Sequence, residues 1–437
     1  MNFRWEFLEH TNNETMKILA TSDWHLGNLF HGNDRLPEHR HFLSWLLKQI
    51  EEQQPDALLV AGDIFDNGNP SAAAQEVYYN FLVDATQICR HMQIVITAGN
   101  HDSANRLEAP RTLLARQKVE VRGSVHREWV TDGDESGWRT NYDDLMIPLK
   151  GQDGREVIVL AVPYLRSDVV QNANYSEGVN TFLRTLTSKA RELHPGCRLI
   201  MMAHMYAKGA DIAAKEASEK IVIGGQEEVN MEGWADHPDY LTCGHIHKRQ
   251  HIWNTSWARY TGSVLPMSFA ETDYHHGVDL ITVDDNISTE FLEYTPQHKL
   301  VTLPEGDEVL TPSKLKKRIE EELPDRINGE LDDNFVYVTL KIVQEKVNND
   351  QRKELESLVE AKNAVRCRTQ LILPQLEVAT IAGENKIKSM DDILNRDPLD
   401  TLKEAFLIQN QKKMSEHQEQ MLRELLNSIK AGSKNRT

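Results

Sequence analysis

Asp56-Ala57-Leu58-Leu59-Val60-Ala61-Gly62-Asp63-Ile64-Phe65-Asp66 is the stretch that decides the fold. Ala57 to Ala61 is a short apolar run with no polar face, the pattern of a strand covered on both sides in a mostly parallel sheet. Gly62 breaks the run and delivers Asp63 at the strand's carboxyl end, the edge at which open α/β sheets bind ligands. A carboxylate there stays ionised only if a cation, water or hydrogen bonds satisfy it. Working outward, the same design recurs. Lys17 to Thr21 leads into Ser22-Asp23-Trp24-His25, Gln93 to Thr97 into Gly99-Asn100-His101-Asp102, Leu199 to Ala203 into His204, and Tyr240 to Cys243 into Gly244-His245-Ile246-His247.

Helical patterns separate these strands, from about His39 to Gln53 and from about Ser71 to His91, where Pro70 and Ser71 mark the start. A polar stretch rich in Gly and Asp at 131–145 interrupts the alternation. Strands then return at Val157 to Val162, Arg198 to Ala203, Ala258 to Tyr260 and Gly277 to Val283. Strands alternating with helices, then strands in quick succession, predict an α/β layered domain whose later half is more antiparallel. Near residue 300 the texture changes. A charged helix from Thr311 to about Leu323, a strand at Asn334 to Val343, a helix at Asn349 to Lys362 and a strand at Val365 to Leu373 form a small α+β module without a histidine cluster. Beyond about 381 the pattern is helical again.

Composition narrows the class. With 437 residues and 40% hydrophobic residues the chain has material for two or three domains around real cores. No run approaches the ~18 apolar residues of a membrane span. Residues 1–15 show no periodic pattern, and Met1 to Glu14 lacks the apolar core of a secretory signal. The residues before Met16 are expected to be an N-terminal arm. Four scattered cysteines, Cys89, Cys197, Cys243 and Cys367, without a CxxC spacing suggest free thiols in a reducing cytoplasm. The formal charge of -18 argues against a protein that coats nucleic acid through general basicity. Bound divalent ions and local Lys or Arg clusters can still supply a positive field where it is needed.

The turns carry the chemistry. Two Asp, one Asn and four His form a mixed oxygen and nitrogen set without thiolate, which suits Mn(II), Fe(II) or Zn(II). Seven candidates are too many for one ion. Two ions sharing a carboxylate fit better, about 3.5–4 Å apart as in two-metal hydrolases. On an extended segment the partners of Asp-x-His and His-x-His share one face, so each pair is expected to reach one site through the pleat.

The series Asp-x-His, Gly-Asp, Gly-Asn-His-Asp, single His and Gly-His-x-His resembles the signature of the calcineurin-like metallophosphoesterases. The flanking segments Lys17 to Gly27, Ala61 to Asp66, Ile223-Gly224-Gly225, Tyr260 to Ser263 and Ser268 to Glu271 are similar to those of the SbcD nuclease-subunit family. This resemblance implies a four-layer α-β-β-α sandwich at 16–300, a small α+β capping domain at 301–380 and C-terminal helices at 381–437 that dock on an SbcC-type ATPase. It implies one ion, expected to be Mn2+, on Asp23, His25, Asp63 and His247, and a second on Asp63, Asn100, His204 and His245, with Asp63 as the bridge. His101 would act on the leaving oxygen, with Asp102 orienting its ring, and Asp66 would lie near the same rim.

The implied activity is that of a DNA nuclease in repair and recombination, a 3′-to-5′ exonuclease on duplex ends and an endonuclease on hairpins or single strands. The alternative is another calcineurin-like phosphoesterase acting on phosphoproteins or nucleotides. Arg106, Arg111, Arg166, Lys208, Lys248 and Arg249 are candidates to track a DNA backbone. Leu402, Phe406, Met421, Leu425 and Ile429 are candidate contacts with the ATPase. The helix after Pro70 and residues near Pro110 are candidate homodimer contacts. No GxxxxGK[ST] pattern occurs, so any ATP dependence would come from the partner.

Overall fold

A computed structural model describes residues 15–132, 135–170, 174–211, 228–231, 234–306, 308–343 and 347–372, together with 403, 418–420 and 423. The chain divides into two units, Met1–Leu373 and Pro374–Thr437. The expected contacts Leu402, Phe406, Met421, Leu425 and Ile429, the Ile223-Gly224-Gly225 motif and residues 1–14 lie outside the described residues.

The strand Ala57–Ala61 is buried at every position, as its unbroken apolar run requires. It lies between Met16–Thr21 and Gln93–Thr97 in parallel register, and Val119–Arg122 extends the same side. His276–Val283 and Ile287–Tyr294 complete this six-stranded sheet on the far side of Met16–Thr21, each antiparallel to its neighbour. The second six-stranded sheet is built on Glu156–Ala161, Arg198–His204 and Tyr240–Gly244, all parallel, with Met146–Lys150 antiparallel at one edge. Ala258–Tyr260 and Gln250–His251 form its other side.

Strands that are apolar on both faces need cover on both faces, and the packing supplies it. Ile18, Ala20, Leu59 and Val95 meet Val159, Ile200 and Met202 between the two sheets. On its outer face the first sheet packs Leu58, Val60 and Ile94 against the helices Leu36–Gln53 and Ala72–Ile88, through Phe42, Leu46, Phe81 and Leu82. Ile158, Leu160 and Leu199 of the second sheet cover the helix Tyr175–Leu193 through Phe182, Leu183 and Leu186. Each fully buried side chain of this size stabilises the fold by about 1.5–3 kcal/mol. The result is the α-β-β-α sandwich.

The polar stretch at 131–145, where no element is read from the sequence, overlaps a β-hairpin, Arg127–Asp132 paired with Glu135–Thr140. Its faces are polar, so no apolar alternation marks it. Its stabilising contact is the directly opposed pair Trp129 and Trp138, edge-to-face at 5.7 Å and each more than half exposed.

Leu300–Leu303, Val336–Val343 and Ala364–Ile372 form a separate, wholly parallel three-stranded sheet. Two helices, Pro312–Glu322 and Asn349–Ala361, close a core of Leu315, Ile319, Val338, Leu340, Leu355 and Val359. Asn348 caps the second helix reciprocally with Gln351, satisfying amides that the first turn leaves open. Tyr337 and Leu300 of this module share a small aromatic core with Phe30.

Candidate metal centre

All seven candidate ligands gather where the carboxyl ends of the two sheets meet. Asp23, His25, Asp63 and Asn100 come from loops of the first sheet; in the second, His204 ends the strand Arg198–His204 and His245 and His247 follow Tyr240–Gly244. Side-chain ligand atoms of Asp23, His25 and His247 lie within 4.8 Å of one another, as do those of Asp23, Asp63 and His204. Asn100 Oδ1 sits 3.0 Å from His204 Nε2 and 2.9 Å from His245 Nδ1. Asp63 Oδ2 lies between two histidines, 3.7 Å from His25 Nε2 and 3.3 Å from His204 Nε2.

The way these side chains converge differs from the extended-segment expectation. Asp23, His25 and Asp63 have φ of 51°, 49° and 50°, and His245 has φ of 94°, so all four occupy the left-handed region that favours glycine. Left-handed turns, rather than the pleat of a strand, aim Asp-x-His and the first His of His-x-His. Such conformations cost of order 1–3 kcal/mol each and persist where surroundings over-determine them. The surroundings do so here. Asp23 N donates to the Gly62 carbonyl and His25 N to the Asp63 carbonyl, which locks the two ligand loops together. A Cβ on Gly99 would lie 2.1 Å from Asp63 Oδ1 and 2.3 Å from Asp63 N, so glycine is what lets the third loop close on Asp63.

Several of the ligand candidates are also held from behind. The Ser22 hydroxyl donates to Asp23 Oδ2 and lies 2.7 Å from Thr261 Oγ1. His245 N donates to both oxygens of Asp23, at 3.0 and 3.1 Å. His204 Nδ1 donates to the Ala61 carbonyl at 2.9 Å. His247 Nδ1 faces Glu271 Oε1 at 3.1 Å. Sequence reasoning used Thr261 and Glu271 only as flanking similarity and missed these roles. The signal available was a polar residue inside each flanking segment, and nothing local tied it to a ligand.

The donor set fits divalent ions. A carbonyl only accepts, so the His204 hydrogen is on Nδ1 and the Nε2 lone pair faces Asn100 Oδ1 and Asp63 Oδ2. His25 Nε2 is buried without a hydrogen-bond partner. Lone pairs facing lone pairs require a cation or a proton between them. The electrostatics say the same: burial would lower His204, but the Asp63 carboxylate overrides it and lifts the imidazole to about 9. Burial would raise Asp63, yet the charge of His204 holds it well below the carboxylate range. Burial, reinforced by His204, pushes His245 down to about 3. Nitrogen and oxygen donors in this mixture suit first-row transition ions.

His101 and Asp102 part company. His101 Nδ1 donates to the Asp66 carbonyl at 2.8 Å, so Asp66 orients the ring. Asp102 instead accepts from Gly99 N, Ile64 N and Phe65 N at 2.9–3.1 Å. The expectation that Asp102 orients His101 is corrected: its carboxylate clamps the Asp63 loop to the Asn100 loop. Burial first, then the charge of Asp63, raise Asp102 to about 6 in spite of those three donors. Asp66 lies at the rim as expected, with Oδ1 accepting from Asn28 Nδ2 at 2.8 Å and 3.6 Å from His25 Nδ1. Trp24 is fully buried and stacks edge-on against Phe81.

Three of the basic candidates are already committed to carboxylates. Arg111 pairs with Asp144, Lys248 with Asp211, and Arg249 with buried Asp279. Arg106, Arg166 and Lys208 are exposed.

Strand-end turns from two facing sheets that converge on a divalent-ion donor set define a metal-dependent phosphoesterase. The calcineurin-like phosphoesterase family model matches residues 16–249. The chain is 33% identical over 337 residues to the SbcD component of the nuclease SbcCD from Rhodobacter capsulatus, covering 75% of this chain and 80% of that protein. It is 28% identical over 364 residues to the corresponding SbcD component from Escherichia coli K12, covering 79% and 82%. The chain belongs to the calcineurin-like phosphoesterases and, within them, to the SbcD family of nuclease subunits.

Proposed function

We propose that this protein is the Mn2+-dependent DNA nuclease subunit of an SbcCD-type complex, a 3′-to-5′ exonuclease on duplex ends and an endonuclease on hairpins or single strands. The observation that carries this reading is the convergence of seven ligand candidates, with Asp23, His25, Asp63 and His204 buried, within a chain similar to nuclease subunits over most of its length. Asp23, His25, Asp63 and His247 would hold one ion, and Asp63, Asn100, His204 and His245 the other. The position of Asp63 Oδ2 between His25 and His204 supports its role as the bridge. Divalent ions held there would supply Lewis acidity, lowering the pKa of water and offsetting charge that develops on a phosphodiester.

The chain's own groups do the rest. His101 keeps its Nδ1 hydrogen on the Asp66 carbonyl, which leaves Nε2 as the nitrogen that exchanges a proton with the leaving sugar oxygen. Asp102 acts through the backbone, holding the bridging and Asn100 loops in register. Arg106, Arg166 and Lys208 track the phosphates. Residues 301–380 form the capping domain, residues 381–437 bind an SbcC-type ATPase, and residues 1–15 are an arm. A homodimer forms through the helix Ala72–Ile88 and the neighbourhood of Pro110, a reading supported by the exposure of Val83 and Leu113.

The test uses the purified chain with Mn(II) and a labelled hairpin or duplex end. Cleavage is expected, and His101→Ala should abolish it while both ions remain bound. Robust hydrolysis of small phosphomonoesters with no DNA cleavage, even with the ATPase partner added, would overturn the reading in favour of a phosphatase.

A further inference from the structure

Buried polar groups run in an unbroken series from the small three-stranded module to His247. Tyr337, on the central strand of the module, donates its hydroxyl to Glu38 Oε1 at 3.0 Å. Glu38 is gripped twice by Arg35, with Nε to Oε1 at 2.9 Å and Nη2 to Oε2 at 2.7 Å. The remaining arm of the same guanidinium, Nη1, donates to the Pro266 carbonyl. One residue further on, Met267 N donates to Glu271 Oε2 at 2.7 Å, and Glu271 Oε1 faces His247 Nδ1 at 3.1 Å. Arg35, Glu38, Glu271 and Tyr337 are each no more than 1% exposed.

Burying an Arg–Glu pair so completely is a weak source of stability, because desolvation offsets most of the Coulomb attraction. The geometry shows what else this pair does. It joins three parts of the chain that are distant in sequence: the first turn of the helix Leu36–Gln53, the module, and the segment between Ser263 and Glu271. The module holds that segment a second time, because Arg368 lies over the Phe269 ring at 5.8 Å while Phe269 packs on Phe30 at 5.4 Å. The far end of the segment is Glu271, which stands directly behind a ligand candidate.

We propose that the segment Ser263 to Glu271 is a lever through which the small module sets the imidazole of His247, with Glu271, Arg35 and Tyr337 as positioning residues. The proposal rests on the reading of His247 as a metal ligand. A carboxylate accepting the Nδ1 hydrogen fixes the tautomer and ring angle and leaves the Nε2 lone pair for the ion. The other oxygen of Glu271 is held by the peptide whose carbonyl Arg35 grips. A looser grip on Pro266 therefore lets Glu271, and with it the ring, turn away. The module thus acts on one of the two ions, the one that takes His247, and leaves the ion on Asn100, His204 and His245 in place.

The experiment is Mn(II) titration of the full chain by calorimetry, resolving the two dissociation constants. His247→Ala identifies the ion concerned by loosening it; if it loosens neither ion, the ligand reading itself falls. Glu271→Gln should raise the same dissociation constant by about 10- to 100-fold. Tyr337→Phe keeps the ring in its aromatic core and removes only the hydroxyl. It should raise that constant by roughly 2- to 30-fold, spare the other ion, and have no further effect in the Glu271→Gln background. The lever is overturned if Tyr337→Phe leaves both constants unchanged, weakens both ions equally, or costs the same factor with and without Glu271.

Discussion

At the residue scale, Asp63 concentrates the design. It follows a buried strand, adopts a left-handed backbone, accepts the His101 amide on one oxygen at 2.9 Å and presents the other to two histidines of opposite sheets. Asp63→Asn should therefore weaken both ions together, whereas His247→Ala should mainly loosen one, as read from Mn(II) dissociation constants. Equal losses in the two variants would argue against a shared carboxylate. The residue types at this site were legible in the sequence because each stands just after an apolar strand that names its edge. The backbone shape was not legible. No local pattern announces positive φ at these Asp and His residues; it emerges from the amides of Asp23 and His25 docking on the Gly62 and Asp63 carbonyls, a contact between distant loops. The same limit hid the actual partners of Asp102, since its neighbour in sequence was a more obvious candidate than Ile64 and Phe65.

At the scale of elements, the strands that read most clearly are those buried on both faces, Ala57–Ala61 and Gln93–Thr97 among them, where the apolar run is continuous. The hairpin at 127–140 and the strand Ile287–Tyr294 were not expected, for a shared reason: both keep polar residues on exposed faces, so pairing rather than burial defines them. The helix Leu36–Gln53 begins three residues before its sequence signal at His39, because its first turn is built for a tertiary role: Arg35 and Glu38 are inside the protein. That turn has a pH consequence. Burial would raise Glu38, but His298 and Arg35 overcome it and take the carboxyl down to about 2. A folded value below the unfolded one means stability that is present above the unfolded value, about 4.3 for a glutamate, and lost as pH falls through the folded value. Acid unfolding of the wild type should accordingly lose on the order of 2–3 kcal/mol between about pH 4.5 and 2 that Glu38→Gln does not lose. Parallel stability curves for the two proteins over that range would show that the carboxylate contributes nothing of the kind.

At the scale of the whole molecule, the two sheets meet over an apolar interior and again at their shared ligand edge. Loops of one sheet supply four ligand candidates, and a strand end and a loop of the other supply three, so bound ions would cross-link the sandwich. Mn(II) at about 100 times its dissociation constant should add about 2.7 kcal/mol per site, seen calorimetrically as a rise of several degrees in Tm over the protein in EDTA. An unchanged Tm would contradict a centre shared between the sheets. The net charge of -18 means that general basicity is not how this surface would hold a polyanion. Among the described residues no helix is long and apolar enough to cross a membrane.

The division of the ligands between two sheets also sets a timetable for synthesis. Asp23, His25, Asp63 and Asn100 leave the ribosome early, and His204, His245, His247 and Glu271 follow only when much of the chain has been made. Neither set alone would complete the donors for an ion, and the first sheet itself is finished only by His276–Val283 and Ile287–Tyr294, which follow all seven candidates in the chain. A chain halted before His204 would therefore carry only the four donors of the first sheet, short of the histidines that either ion would need.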